Sequence, residues 1–498
     1  MNFKKEIDQA YSELGLIPIN GQDQAVDRIL TEFLVNDKRN LILSAQTGTG
    51  KSIIGAVVAM VFKTHFEDDP ESTSDDYDTK INNAMIVVHS NNLVAQYGDT
   101  FKDFGSERFH QIIGANNYKC ELNEAMNLEP GKTFTGEDCV KSKATPSELS
   151  KYCNNCQFSY AKSYVNKTDN LITNYSYHFI NSMLSNHLQK RRLVIFDEAH
   201  TINDVFCDHS KIDLSAEQLN IYIDECKGRH ELKEPVAILN SIRNRLLRDE
   251  LNEGLYVEPL RSLQGALSSI AARYAKLASE SPLDQYVKFN KTARRYNSLS
   301  NKIKDLFTYK YDHSIEYDEK EHKFTVKPIF VGNMSKQIMS DYNLFMSATI
   351  SDKFMKTTLC LDPDTTAYVE LDAVYDPANK PVIFCGEKKL NYSSMKDPST
   401  IKYLQDTVKE IVVSASADGY KGLMLTPSFA LGETLSKSIP RGTKVFLHKP
   451  GMKAMDLIKE FKANKGPSIL ISPSMYEGVD FPGDLSSYQI IVKAPYKS

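Results

Sequence analysis

No run of apolar residues in this sequence of 498 residues is long enough to cross a lipid bilayer. The longest, Ile53 to Phe62, falls well short of the ~20 residues that a spanning helix needs. The first residues, Met1 to Asp8, lack the apolar segment of a secretory signal peptide. We therefore expect no membrane contact and a cytoplasmic or nucleoid-associated location.

The sequence also lacks an excess of charge of one sign and a high density of cysteine. Lys and Arg total 60 against 64 Asp and Glu, for a net charge of −4. Because this balance creates no global field that attracts nucleic acid, any such site must be a local basic groove. Eight cysteines in a chain of this length do not indicate a disulfide scaffold. Tryptophan is absent, which excludes nothing. The length alone predicts about three domains.

A glycine loop between a buried strand and an apolar helix is the strongest signal. The segment is Leu41-Ile-Leu-Ser-Ala-Gln-Thr-Gly-Thr-Gly-Lys-Ser52, and this order of elements predicts a phosphate-binding loop. Lys51 can reach the β- and γ-phosphates of a nucleotide, and Ser52 can place its hydroxyl on Mg²⁺. The alternative is an ordinary turn rich in Gly and Thr. The predicted nucleotide contacts are Ala45, Thr47, Gly48, Thr49, Gly50, Lys51 and Ser52.

A glutamine upstream of this loop is a candidate for reading the adenine base. The segment Asn20-Gly-Gln-Asp-Gln24 precedes an amphipathic helical pattern. A glutamine amide offers both a donor and an acceptor to the adenine edge. We select Gln22, with Gln24 as the alternative. An exposed helical glutamine without a nucleotide role is the commoner case.

Polar residues also follow the next predicted strand, Ala84 to Val88. The carboxyl edge of a parallel sheet is where ligands bind. Ser90, Asn91 and Gln96 are therefore candidates for contacts with a nucleic-acid backbone. A plain helix N-cap by Ser90 or Asn91 is an equally good explanation.

Four of the eight cysteines lie within one short segment. Their spacing, C-x18-C-x13-C-x2-C, spans Cys120, Cys139, Cys153 and Cys156. Four thiolates in one insertion can hold an iron–sulfur cluster or a structural zinc, and spacing alone does not choose between them. Four unrelated reduced cysteines would be the alternative.

A strand that ends in two acidic residues predicts the catalytic carboxylates. Leu193-Val-Ile-Phe196 is followed by Asp197-Glu-Ala-His200, which would bring a magnesium ligand and a water-activating base to the same edge as Lys51. We assign Asp197 to Mg²⁺, through water, and Glu198 to the general base. His200 would link the state of the γ-phosphate to the next domain.

Two later segments extend this site. The strand Asn343 to Ile350 contains Ser347-Ala-Thr349, whose hydroxyls would lie beside the acidic pair and couple phosphate chemistry to domain motion. A second α/β domain starts near residue 375, and Glu477, Gly478 and Asp480 within it would face the cleft between the domains. A Gly/Pro turn with a capping carboxylate is the alternative for that last group.

Residues 211–310 are rich in Leu, Ala, Glu, Lys and Arg and carry apolar residues at helical spacing, which predicts a helical insertion. Its basic residues could follow a single strand, with Tyr286 and Tyr296 stacking on bases. A solvated helix face is the favoured explanation for most of these charges.

Together these segments resemble the XPD/DinG family of superfamily 2 helicases, from Gln22 to the C-terminus. Ala45, at the usual first glycine of the loop, is a substitution common in helicases of that superfamily. The resemblance rests, beside the four cysteines, on AQTGTGKS (45–52), GANNYKC (114–120), NYSY (174–177), DEAH (197–200), MSATI (346–350), LTPSF (425–429) and YEGVDFPG (476–483).

This resemblance implies an α/β fold with two RecA-like P-loop domains that contain parallel sheets, plus an iron–sulfur insertion and a helical arch insertion. The first RecA-like domain would comprise residues 1–118, 158–210 and 326–370. The cluster insertion at 119–157 and the arch at 211–325 would interrupt it. Residues 371–498 would form the second RecA-like domain, truncated at its C-terminus.

The resemblance also selects a [4Fe–4S] cluster over zinc for Cys120, Cys139, Cys153 and Cys156. The implied cofactors are ATP, Mg²⁺ and this cluster. The implied activity is that of a DEAH-box DNA helicase, which hydrolyses ATP and moves 5′ to 3′ on single-stranded or forked DNA. The strand would thread between the arch and the cluster domain.

Family members continue to a final motif with a glutamine and arginines that stabilise charge at the γ-phosphate. This sequence ends before that motif, so we expect that a second polypeptide supplies it, that the chain is a fragment, or that its ATP turnover is poor. The alternative function is an ATP-sensing, nucleic-acid-binding subunit that does not unwind alone. A zinc-bearing binding module would leave both ATPase motifs unexplained.

Overall fold

Two compact units, Met1–Val374 and Tyr375–Ser498, make up the chain. The computed structural model describes residues 3–19, 21–66, 81–122, 135–136, 139, 144–154, 156–185, 188–251, 254–371, 381–386, 388, 390–391, 393–452, 454–473, 481 and 483–493.

The first unit is built around a parallel sheet in which seven described strands pair in the order β10-β1-β9-β5-β2-β4-β3. Because parallel strands need crossover connections, their carboxyl ends all meet at one edge of the sheet. The strands of this unit are β1 Asn40–Ser44, β2 Ile81–Val88, β3 Phe109–Gln111, β4 Asn170–Asn174, β5 Arg191–Asp197, β6 Ile212–Ser215, β7 His313–Asp318, β8 Lys323–Pro328, β9 Tyr342–Ser347 and β10 Thr366–Glu370.

Helices cover both faces of this sheet. None of those within the described ranges is long and apolar enough to cross a bilayer. The helices of the first unit are α1 Lys4–Glu13, α2 Gln22–Leu34, α3 Lys51–Thr64, α4 Asn91–Phe101, α5 Gly105–Arg108, α6 Pro146–Glu148, α7 Gln157–Tyr164, α8 Tyr175–Ile180, α9 Ile202–Ser210, α10 Ala216–Cys226, α11 Lys233–Leu247, α12 Val257–Glu280, α13 Leu283–Tyr309, α14 Ser335–Ile338 and α15 Asp352–Thr358.

The strand sequences explain this three-layer arrangement. Leu41 and Leu43 of β1 enter one core, together with apolar residues of α1 to α4, whereas Ile42 enters the core on the other face. Successive strand side chains point to opposite faces, so a strand that is buried on both faces must be apolar throughout. The continuous apolar strands of the sequence are therefore central strands.

The region between β5 and β9 combines long helices with a small antiparallel sheet. The helices α10 to α13 agree with the predicted helical composition, and α12 and α13 span 24 and 27 residues. The strands β6, β8 and β7 pair in that order, antiparallel. The strands β6 and β7 lie within residues 211–325, which we predicted as a helical insertion, and they were not predicted as strands.

The prediction that Tyr296 stacks on bases is wrong. Its side chain is fully buried, and its hydroxyl donates to Glu225 Oε2 at 2.6 Å inside the helical region. Arg295 also bonds Glu225. Tyr286 instead packs against the cluster that contains Cys120.

The second unit has the same layered design. Its described strands form a parallel sheet in the order β12-β13-β11-β14. Residues of α16 and α17 pack on one face and those of α18 on the other. The predicted α/β class with parallel sheets is thus confirmed. The elements are α16 Pro398–Ala417, β11 Lys421–Leu425, α17 Phe429–Ser436, β12 Lys444–Leu447, α18 Ala454–Ala463, β13 Ser468–Ser472 and β14 Tyr488–Ile491.

A buried arginine at the start of β5 bonds four backbone carbonyls, one at Ala84 of β2 and three within residues 165–169. Arg191 is 1% exposed, and its guanidinium donates to the carbonyls of Ala84, Thr168 and Asp169 at 3.1, 3.0 and 2.9 Å. It also donates to the Val165 carbonyl at 2.6 Å. A guanidinium has enough donors in a fixed plane for such a junction, and no other side chain does.

We expect Arg191→Met to lower the free energy of unfolding by about 3 kcal/mol, because buried carbonyls lose their donors while the aliphatic volume is kept. Urea unfolding followed by circular dichroism measures this change. The exposed neighbour Lys190 provides the control variant, Lys190→Met. Equal stability of the two variants would contradict the role of Arg191.

Candidate active site

The predicted phosphate loop connects β1 to α3, and its start is fixed to a neighbouring strand. The Ala45 amide donates to the Ser347 carbonyl at 3.0 Å. Gly48 and Gly50 have φ values of +86° and +74°, which L side chains rarely adopt. Lys51, the first residue of α3, is 8% exposed and its amine lies 3.3 Å from the Ala45 carbonyl. The amine therefore lies over the loop.

Gln22 lies against this loop, not in solvent. Its side chain is 4% exposed, and its amide nitrogen donates to the Thr49 carbonyl at 2.8 Å. Its amide oxygen accepts from the Ile19 amide at 3.2 Å and from the Tyr11 hydroxyl at 3.4 Å. A Cβ atom on Gly50 would come within 2.2 Å of the Gln22 nitrogen. Gln22 thus supports the phosphate loop by bonding the Thr49 carbonyl and by filling the space beside Gly50.

The two acidic residues at the end of β5 occupy different environments. Asp197 is 4% exposed and burial raises the pKa of its carboxyl, although the Tyr97 hydroxyl and Lys51 act in the opposite direction. Burial would also raise the pKa of Glu198, but the His200 hydrogen bond and Lys51 outweigh it and hold that pKa below its ordinary value. Glu198 is therefore ionised at neutral pH.

His200, Ser347 and Glu198 form a cluster. His200 Nδ1 lies 2.8 Å from Ser347 Oγ and 3.4 Å from Glu198 Oε2. Ser347 Oγ also lies 3.4 Å from Glu198 Oε2 and accepts from the Thr349 amide at 3.2 Å. Since the Ser347 carbonyl holds Ala45, one residue at the end of β9 contacts both the phosphate loop and the acidic pair.

Two tyrosines that the sequence did not single out hold Asp197. The Tyr97 hydroxyl donates to Asp197 Oδ2 at 2.7 Å, and the Tyr175 hydroxyl donates to the Asp197 carbonyl at 2.7 Å. Both side chains are buried. Their position on helices next to the sheet edge was visible in the sequence, but their partner was not, because the contact joins residues 100 and 22 positions apart.

The structure gathers three of the four clustered cysteines. Cys139 and Cys153 pack against Cys120 and Leu122, and the Cys156 amide donates to the Cys153 carbonyl at 3.2 Å. Thiol sulfurs are the donor type that a thiolate-bound group requires. Within the described part of the chain, no three His, Cys, Asp or Glu residues are spaced closely enough to hold a metal ion.

The remaining residues predicted for the site differ in their exposure and in the contacts they make. Ser90 accepts from the Leu93 amide at 3.3 Å and so caps α4, as the alternative explanation required. Asn91 and Gln96 on the same helix are exposed. Thr47 and Thr349 are exposed as well, and Ser52 is partly buried. Glu477, Gly478 and Asp480 lie outside the described residues.

The edge formed by β1, β9 and β5 therefore brings together what phosphoryl transfer from a nucleotide requires. Lys51 and the backbone amides of the loop can hold phosphate oxygens. Ser52 and Asp197 can hold Mg²⁺, since oxygen ligands are those it prefers. Glu198, ionised and hydrogen-bonded, can orient a water molecule.

Two family models match the chain, namely Type III restriction enzyme, res subunit, at residues 16–226 and Helicase C-terminal domain at residues 411–498. One curated relative is the general transcription and DNA repair factor IIH helicase subunit XPD/RAD3 of Saccharomyces cerevisiae. It is 29% identical over 155 residues, which cover 28% of this chain and 18% of that protein. The match thus spans less than a fifth of the relative's length.

A solved structure named XPD_Helicase shares the fold, with a TM-score of 0.52 and 16% identity over 95% of this chain and 85% of that chain. The fold is that of two RecA-like helicase domains. Both halves of a helicase core are thus matched, and with this fold in common the findings support an XPD/DinG-like helicase of superfamily 2.

Proposed function

We propose that this chain is an ATP-dependent DNA helicase of the DEAH-box type that moves 5′ to 3′ on single-stranded or forked DNA. The observation that carries the proposal is the convergence of Lys51, Asp197, Glu198 and the His200–Ser347 pair at one sheet edge. Similarity to that family supports a nucleic-acid helicase, and the cofactors it implies are ATP and Mg²⁺.

Each residue has a defined part in hydrolysis. Lys51 neutralises charge on the β- and γ-phosphates, and Ser52 and Asp197 would hold Mg²⁺, which when bound would supply positive charge to the phosphate oxygens. Glu198 orients the attacking water and accepts its proton, a contribution of about 10²–10⁴ in rate. Ser347 and His200 hold the Glu198 carboxylate in place. Ser347 also contacts the phosphate loop, because its carbonyl accepts from the Ala45 amide.

Motion of the second unit against the first would follow hydrolysis. We propose Glu477, Gly478 and Asp480, which lie outside the described residues, as further nucleotide contacts, together with Ser347 and Thr349. Residues 119–157 would form the cluster insertion and 211–325 the arch. Tyr286 supports this division, because α13 reaches the cysteine cluster.

We also propose that Cys120, Cys139, Cys153 and Cys156 bind a [4Fe–4S] cluster. Four thiolates are the usual ligand set for such a cluster. The contact of Cys139 and Cys153 with Cys120, next to Cys156, supports the proposal. Bound iron would tie the insertion together and would not take part in hydrolysis.

The first test is ATP turnover by the anaerobically purified chain, with and without single-stranded DNA. We expect DNA to stimulate turnover, and Lys51→Ala to lower it at least about 100-fold, because the phosphates lose a preorganised charge. Lys102→Ala, an exposed site near the end of α4, is the control. Partial duplexes with a 5′ or a 3′ tail report the polarity.

Unchanged turnover in Lys51→Ala would contradict the proposed enzyme. Intact binding of nucleotide and DNA by the unaltered chain without turnover would instead favour an ATP-sensing subunit.

Gln22→Ala separates the two roles of Gln22. If its amide supports the loop through Thr49, the variant raises KM for ATP and GTP by the same factor, about tenfold for a lost buried hydrogen bond. If the amide reads adenine, KM rises for ATP alone. Steady-state kinetics with both nucleotides distinguishes the cases, and Gln96→Ala, an exposed glutamine, is the control.

Cys153→Ser should remove the visible absorbance and the bound iron of the anaerobically purified protein, because a serine hydroxyl stays protonated where a thiolate binds. Iron analysis measures the loss. Cys360→Ser, at an exposed cysteine, should retain full iron content. A wild-type protein that binds zinc and no iron would refute the cluster.

A further inference from the structure

The Tyr97 hydroxyl holds one of the two side chains that are assigned to magnesium. It donates to Asp197 Oδ2 at 2.7 Å. The tyrosine is 3% exposed. Hydrolysis as described above makes no use of this hydroxyl.

Packing alone does not explain a tyrosine at this position. A phenylalanine would fill the same space, since the Tyr97 ring lies within the core and its centroid is 6.0 Å from that of Phe101. Burying a hydroxyl and a carboxylate costs free energy unless each finds a partner. The pair is therefore better explained by control of where the Asp197 oxygens lie.

The helix that carries Tyr97 also begins with an exposed contact. Asn91, the first residue of α4, donates from its side chain to Asn117 Oδ1 at 3.0 Å. Its side-chain oxygen accepts from the Asn174 side chain. Asn117 lies three residues before Cys120, so the start of α4 is joined to the segment that leads into the cysteines.

Asn174 links the hydrogen-bonded path from Asn91 to the residues that hold Asp197. It caps α8 by accepting from the Tyr177 amide at 2.7 Å, and the next residue, Tyr175, donates to the Asp197 carbonyl. Two helices thus hold Asp197 by hydroxyl groups, and the Asn91–Asn174 bond joins their first turns. Asn91 and Tyr97 are about 9 Å apart along α4, at 1.5 Å per residue.

We propose that Tyr97 is a positioning residue that orients Asp197 for magnesium and, through α4 and Asn91, makes that orientation respond to nucleic acid at the exposed start of the helix. This inference rests on the proposed function. The coupling then depends on the hydrogen bond between Tyr97 and Asp197, because a shift of α4 must move the Tyr97 hydroxyl.

Tyr97→Phe tests the positioning role. We expect the Mg²⁺ concentration for half-maximal turnover to rise about tenfold, as for a lost hydrogen bond to a charged group. The KM for ATP at saturating Mg²⁺ should change less than about twofold, because Lys51 and the loop are untouched. The Mg²⁺ dependence of binding of a fluorescent, non-hydrolysable ATP analogue should shift by the same tenfold factor.

The matched control is Tyr296→Phe. It removes an equally buried hydroxyl that donates to a carboxylate, Glu225, at 2.6 Å, and it should leave the Mg²⁺ dependence unchanged. Thermal unfolding of both variants reports any structural loss. A Tyr97→Phe protein with the Mg²⁺ dependence of the control would overturn the inference.

A double-mutant cycle tests the connection to Asn91. We expect Asn91→Ala and Tyr97→Phe each to lower the stimulation of turnover by single-stranded DNA. Together they should lower it no further than the larger single effect, because both break one connection. Effects that multiply would show independent residues and overturn the coupling. A wild type without turnover would refute the proposed function, while binding of the analogue would still test the positioning.

Discussion

The hydrogen bond from the Ala45 amide to the Ser347 carbonyl (3.0 Å) is the contact on which the site depends. It extends the pairing of β1 with β9, in which Ser44 lies opposite Ser347. The neighbouring pairing of β9 with β5 sets Met346 opposite Asp197. The strand register alone thus brings the phosphate loop, the Ser347 hydroxyl and the Asp197 carboxylate to the same edge of the sheet. A register slip of one residue would separate them.

Charge is buried at this edge only where it is partnered. Asp197 is surrounded by the Tyr97 hydroxyl, the Glu198 amide at 3.0 Å and the nearby Lys51. Glu198 itself has a φ of +52°, a conformation that costs a non-glycine residue about 1–2 kcal/mol. The strain turns its carboxylate away from Asp197 and toward His200, so two adjacent acids serve different purposes.

The segments inserted between the strands are connected to this edge through polar contacts. Asn117, before the cysteines, bonds Asn91, and Tyr286 of α13 packs on the cysteine cluster. Insertions that were placed at the carboxyl ends of strands would naturally contact whatever binds there, because ligands of parallel sheets gather at that edge.

The sequence by itself determined the α/β class, the apolar central strands and the phosphate loop. These follow from patterns within a few residues: a strand of period two, a helix of period 3.6 and glycines where φ is positive. For the same reason Lys51, Asp197, Glu198 and Ser347 could be named as site residues, whose roles remain predictions. The segment with Glu477 lies outside the described residues and stays a prediction as well.

Only the tertiary structure decided which distant groups meet. Gln22 lies against Thr49, while its contact with adenine stays a prediction, and Tyr296, a candidate for stacking on bases, is buried against Glu225. Tyr97 was not singled out, and Tyr175 entered only as part of the NYSY segment. A buried polar side chain takes its role from its partner, and partners such as Asp197 are brought close by strand order and register, which no local pattern encodes.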